Sequence, residues 1–199
     1  MKVLVVGATG TIGRAVVQEL SARHEVLEAA QNSGKYRVDV ASAESIKALF
    51  EQVGKVDAIV STTGKAHFGP LADMTIDQFK IGLHHKLLGQ VQLALIGQQF
   101  LNDRGSITLT SGILSYDPIV AGANASVANA GVDGFVRAAA IELSRGIRIN
   151  AVSPTVVVES LSSYGPFFRG FEAVPAKRVA IAFSKSVEGA QTGQVYEVR

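Results

Sequence analysis

Cysteine is absent from the 199 residues, which excludes a disulfide framework, a thiolate nucleophile and a thiolate metal ligand. An excess of either charge is missing as well. The chain has 19 Lys and Arg against 17 Asp and Glu, a formal net charge of +2, too balanced for the electrostatic footprint of a nucleic-acid binder. Long hydrophobic runs are also lacking. Val3-Leu4-Val5-Val6 stops at Gly7, too short for a secretory h-region and followed by no cleavage site. No apolar stretch approaches the roughly 20 residues a bilayer crossing needs, and the helical candidate around residues 87–101 is interrupted by Gln90, Gln92, Gln98 and Gln99. His24, His67, His84 and His85 show no ligand-like spacing, so no metal is expected; His67 alone is placed to approach a substrate as an acid. The expectation is a cytoplasmic protein with neither nucleic-acid nor membrane partners.

What is present points to a folded core. Hydrophobic residues make up 47% of the chain, far more than a disordered chain carries, and the length suits one domain over residues 1–199. Short apolar runs read as buried strands at residues 2–6, 26–30, 36–40, 56–60, 107–109, 147–152 and 194–198. Helical spacing runs through 11–22, 42–50, 75–101, 123–143 and 173–186. Ser42, with Ser45 three residues on, reads as a helix start in which a hydroxyl caps a free amide. Residues 111–121 are irregular, and 160–170 read as a mobile loop. Strands and helices alternate without linker or repeat. The expected fold is therefore α/β: a doubly wound, mostly parallel sheet of about seven strands with helices on both faces, Rossmann-like.

The strongest local signal is Gly7-Ala8-Thr9-Gly10-Thr11-Ile12-Gly13, between the first strand and the first helix. Gly7 permits a tight turn, Gly10 leaves room for a pyrophosphate against the backbone, and Gly13 lets helix pack on strand. Free amides at the helix start face the phosphates, which brings Thr9, Thr11, Ile12 and Arg14 into the same cradle. The choice of dinucleotide falls near the end of the second strand. An acid there would bond the ribose hydroxyls of NAD and repel a 2′-phosphate, but the chain reads Ala29-Ala30-Gln31-Asn32-Ser33. Asn32 and Ser33 can donate to a phosphate and Arg14 can reach it, which favours NADP over NAD. Asp39 can accept from the adenine amine, and Val40 can cover the ring. Ser61, Thr62 and Gly64 end the fourth strand with small residues, where the backbone nears the cofactor. Thr155, after Pro154, faces the nicotinamide end at the carboxyl edge of the sheet.

Together these residues resemble the short-chain dehydrogenase/reductase family along nearly the whole chain. The family's glycine motif matches Gly7, Gly10 and Gly13, and its adenine-contacting acid matches Asp39. Its Asn-Asn-Ala-Gly segment matches Ser61-Thr62-Thr63-Gly64 with only the glycine kept. Glu142-Leu143, Gly146-Ile147-Arg148-Ile149-Asn150, Val152-Ser153-Pro154-Thr155 and Thr192-Gly193-Gln194 match further family segments. The resemblance implies hydride transfer between a nicotinamide and a carbonyl or alcohol. A Tyr gives the proton, and a Lys four residues later holds the ribose and lowers the Tyr pKa. A Ser after the fifth strand orients the substrate, and a helical Asn supports a relay water. Here the Tyr and Lys positions fall on Ala125 and Asn129, neither of which can do that work. The serine position falls on Ser111 or Gly112. Lys86 occupies the Asn position, registered by Phe79 and Gly89.

The expected catalytic set is thus Ser111, Lys86 and Tyr116. Lys86 contacts ribose hydroxyls or a substrate anion, or else lies on a solvated helix face. Tyr116, in the irregular loop, is the tyrosine best placed to replace the missing acid. Tyr164, Phe167 and Phe168 form a lid over an apolar group or serve as core contacts. Small side chains on the 123–143 helix, with the preceding helix, point to a homodimer. The expected function is an NADP(H)-binding oxidoreductase acting on a small-molecule carbonyl or alcohol. The alternative is a catalytically inactive NADP-binding sensor or partner-binding protein.

Overall fold

In a computed structural model describing residues 1–199, seven strands form one parallel sheet. They are β1 (Lys2–Val6), β2 (Glu25–Ala30), β3 (Tyr36–Arg37), β4 (Val56–Ser61), β5 (Leu101–Thr110), β6 (Arg148–Pro154) and β7 (Val195–Val198). Their spatial order is β3-β2-β1-β4-β5-β6-β7, with every neighbouring pair parallel. Alternation along β1 shows how the sheet is filled. Leu4 and Val6 point into one apolar layer, and Val3 and Val5 into the other. The first layer receives α2 (Ala43–Val53), α4 (Gly89–Gly97) and α5 (Ala123–Glu142), with Phe50, Leu93 and Val132 buried in it. The second receives α1 (Thr11–Ser21) and α7 (Ala176–Glu188), through Val16, Leu20, Val179 and Phe183. Successive strands are added in one direction from β1 to β3 and in the other from β4 to β7, and this switch between β1 and β4 opens a crevice at the carboxyl ends of the central strands. No helix is long and apolar enough to cross a membrane.

Most expected elements form where the pattern places them, and Ser42 caps α2 by accepting from the Ser45 amide at 3.1 Å. The continuous helix expected over 75–101 does not form. It divides into α3 (Ile76–Gly82), a π-helical turn Leu83–Leu88, α4 and a 3₁₀ turn Gln98–Phe100, and Leu101 already belongs to β5. Asn124, fully buried at the start of α5, supplies the reason. Its Oδ1 accepts from Gly82 N at 3.1 Å and from His67 N at 2.9 Å, while its Nδ2 donates to the Phe79 carbonyl. A side chain bonded into a helical ladder displaces the backbone register, and the π turn follows at once. A 3₁₀ turn, Val158–Ser160, leads into the loop expected at 160–170, which contains a single helical turn, α6 (Leu161–Tyr164).

Candidate functional site

The crevice holds two adjoining cavities. The outer one, of about 390 Å³, is lined by Thr9, Gly10, Gln31, Asp39, Val40 and Thr62 among others. Its floor is the turn between β1 and α1, where Gly10 N donates to Gly7 O at 3.0 Å. Gly10 is the N-cap of α1 in extended conformation, and no side chain caps the helix, so the first-turn amides remain free to bind an anion. Gly13 is required by close packing, since a Cβ there would lie 2.1 Å from Gly7 O. Thr62 Oγ1 pins β4 to the turn through Gly7 O at 3.0 Å and Val6 O at 3.2 Å. Arg14 holds the Thr9 carbonyl at 2.8 Å. A glycine-floored helix start opening into a cleft with Asp39 and Val40 on its wall fits the phosphates and adenosine of a dinucleotide.

The inner cavity, of about 240 Å³, lies beyond Gly64, which lines both. Ile12, Pro154 and Thr155 line it together with Ser111, Ala125 and Asn129. Ile113, Leu114, Phe68, Phe168 and Tyr164 make the remainder largely apolar. Lys86, on the π turn, enters between these walls. Its stem lies against Gly64, where a Cβ would come within 2.7 Å of Lys86 Cγ at a φ of +149°; only glycine leaves that passage open. Lys86 Nζ donates to Ser111 O at 3.1 Å. Part of the side chain faces the cavity, but protein atoms crowd the ammonium elsewhere. That desolvation lowers its pKa from 10.5 to about 8, against the smaller opposing pull of Asp133.

Unsatisfied polar atoms mark the same place. Asn129 Oδ1 and Thr155 Oγ1 are buried without a partner, an arrangement that native interiors rarely leave without a bound species. Ser111 Oγ donates to Asn129 O at 3.2 Å, a long bond that a substrate oxygen can replace. One turn further along α5, Asp133 is buried with Oδ1 unpaired.

The expected residues divide clearly. Thr9, Gly10, Asp39, Val40, Thr62 and Gly64 line the outer cavity with Gly7. Lys86 and Ser111 meet in the inner one with Ile12, Pro154 and Thr155. Thr11 stands exposed at the helix start, and Gly13 is packed beneath it. Ser61 is fully buried and lines neither cavity, its hydroxyl bonded at 2.8 Å to that of Thr63, which lines the outer one. Asn32 and Ser33 sit on an exposed bend past β2, and Gln31 lines the cleft there instead. Tyr116 is the expected catalytic residue that the structure does not bring to the cavity. It is 40% exposed, stacks under Arg199 at 5.0 Å, and burial of its inner edge pushes the phenol pKa up. Gln31, Asn129 as a cavity wall and Asp133 were missed. Spacing of four along α5 could have linked Asn129 with Asp133. No three His, Cys, Asp or Glu side chains come together as a metal-ligand cluster.

Comparison with known proteins gives a consistent picture. The sequence profile described as enoyl-(acyl carrier protein) reductase matches residues 5–192. The crystal structure of the protein lin1944 from Listeria innocua superposes with a TM-score of 0.98 at 53% identity, covering all of both chains. A small-chain dehydrogenase solved in complex with NADPH gives a TM-score of 0.88 at 27% identity, over 100% of this chain and 96% of that one. Among curated relatives, hydroxynaphthalene reductase arp2 of Aspergillus fumigatus is 26% identical over 178 residues. That match covers 77% of this chain and 65% of the relative, so the chain spans just under two thirds of that protein's length.

Proposed function

The chain belongs to the short-chain dehydrogenase/reductase family, and from that premise we propose that it is an NADP(H)-dependent oxidoreductase acting on a small carbonyl or alcohol. The observation that carries this reading is the junction at Gly64, where an anion-binding helix start adjoins a largely apolar cavity holding Ser111, Thr155 and Lys86. The amides of Thr11, Ile12 and Gly13 hold the pyrophosphate, and Asp39 and Val40 hold the adenine. Thr155 and Pro154 face the nicotinamide end. Bound there, the dinucleotide supplies or accepts hydride. Ser111 Oγ orients the substrate oxygen, and the apolar wall of Ile113, Leu114, Phe68 and Phe168 excludes water from it.

The 2′-phosphate form is favoured because β2 ends in Ala29-Ala30 and is followed by Gln31-Asn32-Ser33, with no carboxylate to repel a second phosphate. Gln31 lines the cleft; Asn32 and Ser33 follow it along the chain and are exposed, and Arg14 is exposed and bonded to Thr9 of the same lining. The NADPH complex of a structural relative supports the same preference. A homodimer through α4 and α5 belongs to this reading.

Calorimetric titration with oxidised and reduced NADP and NAD tests the proposal. At least tenfold preference for the phosphorylated forms, about 1.4 kcal/mol, is expected, and Gly13→Val is expected to abolish binding. Absence of binding by all four nucleotides overturns the reading. Binding without NADPH consumption across a broad panel of aldehydes and ketones replaces it with the non-catalytic sensor.

A further inference from the structure

A carbonyl reduced inside the inner cavity must receive a proton on oxygen, and the loop tyrosine Tyr116 lies outside it. Among the lining residues, the groups that release a proton more readily than an alcohol are Lys86 and Tyr164. Tyr164 sits on α6, is 42% exposed, and its ring packs on Phe68 at 5.5 Å, so it belongs to the cover of the cavity. Lys86 enters at the junction with the cradle, between Gly64 and Ser111. One of its three N–H groups is taken by Ser111 O at 3.1 Å, and no carboxylate lies within ion-pair distance. The other two N–H groups have no protein acceptor. Asn129 Oδ1 and Thr155 Oγ1, also unpartnered, lie on the walls around it.

Building on the oxidoreductase reading, we infer that Lys86 is the proton donor of the reaction and that the substrate is a small, uncharged aldehyde or ketone with an apolar body. The cavity of about 240 Å³ also takes the nicotinamide end beside Pro154 and Thr155, so the space left in it suits a substrate no larger than about the one ring that roughly 150 Å³ holds. In the reductive direction the carbonyl carbon takes hydride from reduced NADP, and the π electron pair moves onto oxygen. The N–H bond of Lys86 breaks as the O–H bond of the alcohol forms. The neutral amine then regains a proton from water. In the oxidative direction the neutral amine accepts the alcohol proton.

The charge environment suits that exchange. Asp133 on α5 favours the ammonium, while desolvation disfavours it. Lys65 and His85 line the outer cavity across Gly64. His84 is exposed, and His67 turns its ring toward Gly69. Tyr164 is the other titratable group on the inner wall.

Trace labelling with acetic anhydride across about pH 6 to 11, read lysine by lysine by mass spectrometry, tests the assignment without needing a substrate. Lys86 is expected to gain reactivity with a midpoint near pH 8, well below the roughly 10.4 of a free lysine amine in a model peptide. A Lys86 midpoint at the free-amine value, or no labelling of Lys86 at any pH, overturns the inference. NADPH consumption with benzaldehyde, acetophenone and cyclohexanone is measured on the same preparations. Lys86→Met is expected to lower kcat by about 10²–10⁴-fold with NADPH affinity within about threefold of wild type. Lys86→Arg, which keeps the charge but cannot release the proton, is expected to be equally impaired. Wild-type turnover retained by either variant overturns the inference. Loss of NADPH binding by the wild-type protein would instead remove the oxidoreductase reading itself, so the two failures are distinguishable.

Discussion

Lys86 is a group the fold carries against its own stability. Its folded pKa of about 8 lies below the ordinary 10.5 because desolvation outweighs the attraction of Asp133. Between those two values the unfolded chain binds the proton and the folded chain releases it, so wild-type stability rises with pH across the window. Below about pH 8 both states are protonated and the cost is present in full. Lys86→Met keeps an unbranched stem against Gly64 and removes the charge. It is expected to stabilise the protein at neutral pH by up to about 3 kcal/mol, less whatever hydration the cavity still provides, with the gain fading as pH approaches 10.5. Denaturant unfolding of both proteins at neutral and alkaline pH measures it. A Met variant no more stable than wild type at neutral pH means that the ammonium is not held at a cost. The position of Lys86 was legible in the sequence because Phe79 and Gly89 set the register of its helix. Its chemistry was not, since burial depends on Gly64, Ser111 and Asp133, which lie far from it along the chain.

At the scale of elements, the device that aims Lys86 is the π turn, and two buried amides hold it. Asn124 acts at its start, as described above. Gln90 acts just past its end, where Nε2 donates to Lys86 O at 2.9 Å and to Thr110 O at 2.8 Å, while Oε1 accepts from Thr110 N at 2.8 Å. One fully buried side chain therefore ties the turn bearing Lys86 to the end of the strand that presents Ser111. Gln90→Leu preserves volume and strands these backbone groups, at about 1–3 kcal/mol for each left unsatisfied. A lowered unfolding midpoint is expected, together with a shift of the Lys86 labelling midpoint toward 10.5 as the amine gains water. A loss of stability without that shift assigns Gln90 a structural role alone. These clamps explain why the sequence misled at this segment. The apolar spacing over 75–101 is helical throughout, and nothing in it records that Asn124, more than 40 residues from Gly82 and Phe79, bonds into the ladder. The short central strands and the glycine turn were legible, by contrast, because Val-rich runs and the strand-turn-helix order are local signals.

For the whole molecule, the two helical layers present different faces to solvent. Around α1 and α7 the surface is tied by ion pairs, with Arg23 bridging Glu19 and Glu188 at 2.9 Å each. The α4 and α5 face exposes Leu95 at 52% and Ile141 at 88%, with Leu88 on the adjoining π turn, where the α7 face exposes Ile181. Between the two helices lies a hollow of about 260 Å³ lined by Ala94, Leu95, Phe135, Ala138 and Leu143. Apolar side chains grouped around a shaped hollow are the kind of surface that association covers. The small residues of α5 let a second helix approach closely, and a stable pair needs roughly 800 Å² from each partner. Leu95 and Ile141 both fall in the last turns of their helices, where a lysine suits the helix dipole, so charging them spares the fold of each subunit. Wild type is expected to sediment as a dimer with a melting temperature that rises with protein concentration. The Leu95→Lys/Ile141→Lys double variant is expected to sediment as a folded monomer whose melting temperature no longer depends on concentration. A wild-type monomer, or a double variant that remains dimeric, would mean that this face is not where two copies meet.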